Sequence, residues 1–183
     1  MALIEQHVDV TTKYGKCRSF AACPEEPGQY PGIIFYMDAP GYRTELENMA
    51  RRIAKMGYFC LLPDMYYRLG TCHFDIPRRN EGMSKVIFAA MHHLDNQMVA
   101  EDTGGWIAWL DAQNKCAPGP IGVVGHCMSG QYVTTVAAQF STRIAAAASM
   151  YGVGIVTDKD DSPHLRLNDI KGEYITAKRI SSQ

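Results

Sequence analysis

The stretch Ile121-Gly122-Val123-Val124-Gly125-His126-Cys127-Met128-Ser129-Gly130 decides the fold. Its first four residues form a short apolar run that suits a strand. Tyr132 to Phe140, just beyond it, reads as a helix. Between the two stands Gly125-x-Cys127-x-x-Gly130, where a strand can turn sharply into a helix and present a nucleophile, usually as G-x-S-x-G. The glycines are mechanical. A Cβ two residues before or after the nucleophile would strike neighbouring backbone, and the tight turn thrusts the nucleophile out above the sheet. A cysteine there gains twice. The positive end of the helix favours the thiolate, and the N–H of Met128 becomes one half of an oxyanion hole. Ser129 stands where the second glycine is usual and Gly130 comes one residue later, so a slightly relaxed turn is expected. On its own, G-x-C-x-x-G would read as a buried cysteine in a turn; strand and helix in order make it an elbow.

Working outward, Gly32 to Met37 is another continuous apolar run, which predicts a strand buried on both faces. The loop Asp38-Ala39-Pro40-Gly41-Tyr42-Arg43 follows it. Leu46, Met49, Ala50 and Ile53 then fall on one helical face, and Gly57 suits its C-cap. Tyr58 to Leu62 predicts the next strand, stopped at Pro63-Asp64. Asn80 is placed to cap a helix whose apolar stripe is Met83, Val86, Ile87, Ala90, Met91 and Leu94. Thr103, Trp106, Ile107 and Leu110 give another stripe, and Ile144 to Tyr151 and Tyr174 to Ala177 read as strands. At the start, Ile4 to Thr12 and Cys17 to Cys23 pair as a hairpin about Tyr14-Gly15-Lys16. Strands alternating with amphipathic helices predict an α/β fold, a doubly wound, mostly parallel sheet behind an antiparallel hairpin. Residues 1–183 read as a single domain, with no repeat and no linker.

Four segments together resemble the dienelactone hydrolase family. They are Tyr36-Met37-Asp38-Ala39-Pro40-Gly41, Leu62-Pro63-Asp64-Met65-Tyr66-Tyr67-Arg68, the Cys127 elbow, and Val156-Thr157-Asp158 followed by Ser162-Pro163-His164-Leu165. The resemblance runs from residue 1 to about residue 174. It implies an α/β-hydrolase fold and cleavage of small, often carboxylate-bearing esters or lactones by a Cys-His-Asp triad. Cys127 takes the nucleophile's place, and the N–H groups of Met128 and Ala39 take the oxyanion hole. Asp38 falls where the family carries an acid that holds the thiol's proton at rest, though aspartate is the shorter acid.

The triad's acid and histidine are expected after Lys171-Gly172-Glu173-Tyr174, but Ile175 to Gln183 contains neither. The resemblance therefore implies a sheet missing its last strands and terminal helix, with self-association through the edge left open. His164 is the fallback base, as the one histidine after the elbow that lies in a suitable order. His126 should point away from Cys127, and His92 and His93 read as a solvated pair. Arg68, Arg78 and Arg79 could roof the site and meet a carboxylate, although solvated arginine is the plainer reading of each. Two functions stay open, a cysteine-dependent ester or lactone hydrolase and a catalytically inactive homologue that binds without turnover.

Eighteen Lys and Arg against nineteen Asp and Glu leave a net charge of -1, which offers nothing to nucleic acid or an anionic membrane. No run reaches the ~20 apolar residues of a membrane span, and the first residues do not read as a secretory signal. The six cysteines have no C-x-x-C spacing, and no histidine cluster has metal-ligand spacing. A cytoplasmic protein with free thiols, no metal and no cofactor is expected, with a small ester or lactone as its partner.

Overall fold

A computed structural model describes residues 1–177. Seven strands form one sheet: β1 (Leu3–Thr12), β2 (Gly15–Pro24), β3 (Gly32–Tyr36), β4 (Phe59–Pro63), β5 (Ile121–His126), β6 (Ile144–Met150) and β7 (Glu173–Ala177), in the spatial order β1-β2-β4-β3-β5-β6-β7. The β1–β2 hairpin and the β2–β4 pair are antiparallel, and every later pair is parallel. The order reverses between β4–β3 and β5, so β3 and β5 lie side by side with their C-terminal ends at one edge. In open α/β sheets that is where ligands bind.

Four helices complete the fold: α1 (Thr44–Lys55), α2 (Glu81–His93), α3 (Asn96–Asp111) and α4 (Ser129–Gln139). Adjacent residues of β3 show the two faces of the sheet. The Tyr36 ring meets Trp106 of α3 at 5.8 Å, while Phe35 meets His126 at 5.6 Å on the opposite face. Helix α1 packs on β2 and β4, where Arg51 lies over the Phe20 ring. Helices α3 and α4 pack on each other, and α4 lies on β5 and β6. Tyr36, Trp106, Tyr132, Ile34 and Leu61 are among the largest fully buried side chains of this core.

The predicted elements are found with shifted ends. Strand β5 runs on to His126, and α4 begins at Ser129 rather than Tyr132, so elbow residues themselves carry both elements. Asn80 caps α2 as expected, its side chain accepting from the Met83 N–H at 2.8 Å. One residue of the α2 stripe departs: Val86 is half exposed, while Ile87, Ala90 and Leu94 are buried. No helix among the described residues is long and apolar enough to cross a membrane.

Candidate active site

At the end of β5 the chain turns through Cys127, whose φ of 53° is left-handed and costly for a residue with a side chain. The turn is held by backbone. Cys127 N–H donates to Met150 O (3.1 Å), and Cys127 O accepts from Gly130 N–H (3.1 Å) and Val153 N–H (2.9 Å). Cys127 is exposed, while Met128 beside it is fully buried. Gly125 is needed because a Cβ there would lie 2.8 Å from Ser129 Cβ and 2.8 Å from Val133 Cγ2. The second glycine falls at 130, not 129, because that is where α4 meets the loop after β6. A Cβ on Gly130 would lie 2.2 Å from Gly152 Cα. Ser129 is fully buried in the turn, and its hydroxyl donates to Met37 O just past β3.

The loop after β3 is tied down peptide by peptide. Met37 O accepts from Ser129, Asp38 O accepts from Gly41 N–H at 2.9 Å, and Ala39 O accepts from the Tyr66 hydroxyl at 2.8 Å. The same hydroxyl touches Met128 Sδ at 3.6 Å, so Tyr66 joins the loop to the elbow. Ala39 and Met128 are both buried. Among the described residues, neither N–H donates a hydrogen bond. A backbone donor of a buried residue that finds no acceptor in the protein is uncommon and needs a reason.

Asp38 has a partner that the sequence did not suggest. Both its oxygens accept from Arg43, at 2.5 and 2.9 Å, and Arg43 also donates to Gly41 O. Donating to Asp38 raises the Arg43 pKa further, so the guanidinium stays charged. Arg43 also lines a cleft of about 430 Å³ with Arg18, Tyr42 and His73.

Among the described residues, Cys127 Sγ has no hydrogen-bond partner. His164 lies in a 3₁₀ segment, Pro163–Asp169, with Nδ1 2.8 Å from Ser162 Oγ. His126 packs edge-on against Phe35, and burial lowers its pKa despite the nearby Asp38 charge. His92 and His93 are exposed at the end of α2. Arg68 corrects the solvated reading. It is largely but not fully buried, forks onto Asp102 at 2.8 and 3.3 Å and stacks 3.7 Å over Tyr14. Arg78 and Arg79 are exposed, as read. No group of three or more His, Cys, Asp or Glu that could hold a metal occurs among the described residues. Tyr66 and the tie from Ser129 went unread because a polar residue type does not announce a partner that is distant in sequence, and Arg43 because the turn that brings it back onto Asp38 is set by the loop and not by residue type.

A mostly parallel sheet with a tight turn from β5 into α4 at its C-terminal edge is the α/β-hydrolase fold. The profile of the dienelactone hydrolase family matches residues 17–176, and the chain belongs to that family. It is 25% identical over 150 residues, 82% of its length, to a Methylorubrum extorquens protein named "Putative carboxymethylenebutenolidase". It is 28% identical over 140 residues to a Synechocystis protein of the same name, covering 74% of this chain. Those matches cover 50% and 54% of the two relatives, so the chain spans about half the length of the curated relatives it matches. A Klebsiella pneumoniae crystal structure described as a "Putative Dienelactone Hydrolase" shares the fold at a TM-score of 0.81 and 20% identity, covering 96% of this chain and 72% of that one.

Proposed function

We propose that this chain acts on small carboxylic esters or lactones with Cys127 as nucleophile. The supporting observation is the pair of unpartnered N–H groups, on Ala39 and Met128, set on the two segments that Tyr66 joins beside Cys127. In this reading the Cys127 thiolate adds to the acyl carbon and a C–S bond forms. The carbonyl electron pair moves to oxygen, where the two N–H groups stabilise it. Collapse expels the alkoxide and leaves a thioester. Water then adds, the C–S bond breaks, and the acid and thiol are released. Asp38 is the auxiliary acid of this scheme, and leaving Arg43 is the condition for it to take the thiol's proton. The scheme needs no metal or cofactor, and a small ester or lactone in a cytoplasmic setting is its substrate.

A second reading, a homologue that binds without turnover, is favoured by one observation: among the described residues no base is hydrogen-bonded to Cys127 Sγ. Deacylation needs a general base, commonly worth about 10²–10⁴-fold, and His164 is the candidate within this chain. The test is p-nitrophenyl acetate. One Cys127-dependent equivalent of phenolate followed by slow turnover is expected. No burst beyond that of Cys127→Ala favours the binding reading. Rapid turnover lost in His164→Ala makes His164 the base.

A further inference from the structure

We propose that Tyr66 and Ser129 are positioning residues that hold the Ala39 N–H in place for the oxyanion. The inference rests on the reading of Cys127 as nucleophile and deepens it.

The Ala39 N–H belongs to the peptide between Asp38 and Ala39, so rotation of that one unit would turn the donor away. A loop peptide is free to rotate unless its carbonyl is held. Here three consecutive carbonyls are held, each by a different element. Met37 O is held by Ser129 at the start of α4, Asp38 O by Gly41 across the turn, and Ala39 O by Tyr66. Turning the Ala39 N–H requires coupled rotation about the backbone bonds on either side of its peptide. Ser129 resists it on one side and Tyr66 on the other.

Both holders are built for the task. Tyr66 is fully buried, and burial pushes its hydroxyl pKa up, so the hydroxyl keeps its proton and remains a donor. It also touches Met128 Sδ, so the element that fixes one donor abuts the residue that supplies the other. Ser129 is fully buried and replaces the glycine usual at this place in the elbow. Its side chain reaches Met37 O from the helix that follows the nucleophile. The two N–H groups thus keep one relative geometry through two side chains, Tyr66 and Ser129, and one backbone bond within the loop. Preorganisation of this kind is what lets donors act on developing charge without reorganising.

The test compares two reactions of the same thiol. Acylation of Cys127 by p-nitrophenyl acetate passes through an oxyanion, whereas its alkylation by iodoacetamide is a displacement at carbon that forms none. Tyr66→Phe and Ser129→Ala should each slow the acylation burst about tenfold, less than the ~10²–10³-fold of losing a donor outright. Alkylation should stay within about twofold, since the elbow and helix end are intact. Tyr36→Phe removes an equally buried hydroxyl, bonded to Thr103 at 2.8 Å away from the loop, and should change neither rate. If one variant fails to fold, the other carries the comparison. Unchanged acylation, or equal slowing of both reactions, overturns the proposal. A burst that survives Cys127→Ala overturns instead the nucleophile reading beneath it.

Discussion

Cys127 differs from the other five cysteines in ways that set its reactivity. Burial raises the Cys17 thiol to about 12 and Cys116 to about 11, and it pushes Cys23, Cys60 and Cys72 upward as well. Cys127 is exposed and sits at the start of α4. Brief iodoacetamide treatment should therefore label Cys127 first, as mapped by mass spectrometry; equal labelling of Cys72 and Cys127 would contradict this. The glycines give a second prediction at this scale. Gly130→Ala drives a methyl into Gly152 and should cost about 1–3 kcal/mol or more in thermal or denaturant unfolding. Gly104→Ala, inside α3 with its nearest neighbour 3.9 Å away, should instead stabilise by about 0.5–1 kcal/mol. The need for glycine in the elbow was legible in the sequence. That position 130 meets it was not explained there, because the clashing atom belongs to Gly152, beyond another strand.

At the scale of elements, the connection after β4 is anchored by a buried network. Asp102 of α3 accepts from Tyr67 Oη and from Arg68, and Tyr67 also bonds Thr12 in β1. The 3₁₀ turn Tyr67–Leu69 thus ties the hairpin to α3. Burial raises the Asp102 pKa, with Arg68 opposing the shift, so desolvation is a real cost of this pair. Removing Asp102 leaves Arg68 largely buried and unpaired, which typically costs about 1–3 kcal/mol. Asp102→Ala should therefore lower the melting temperature by several degrees, and adding Arg68→Met should recover part of the loss. Additive losses would show that the two residues act independently. The sequence placed Arg68 in an irregular stretch and Asp102 in a helix, and each looked like an ordinary charge. Only their approach across the fold takes both out of water.

At the scale of the whole molecule, one sheet face is unevenly covered. Helix α1 covers β2 and β4, but among the described residues nothing covers an apolar groove lined by Ile33, Val124, Ala146, Ala148 and Ile175. Ile175 is 62% exposed, and β7 is the last strand of the described sheet. An apolar face beside an open strand edge favours association. Light scattering should show mass rising with protein concentration, and Ile175→Lys should reduce it; a concentration-independent monomer would contradict this. The alternation of strand and helix, the parallel sheet and the elbow at Cys127 were determined by the sequence alone, since hydrophobic period and turn sterics act between near neighbours along the chain. The tertiary structure alone decided that Arg43 holds Asp38, that Arg68 pairs with Asp102, and that Tyr66 and Ser129 bond the loop at Ala39 and Met37. Asp38 and Arg43 stand five residues apart, but the fold of their loop decides that they meet, and the other pairs join groups at least 27 residues apart; a hydrogen bond is too short-ranged and directional for residue type to foretell its partner.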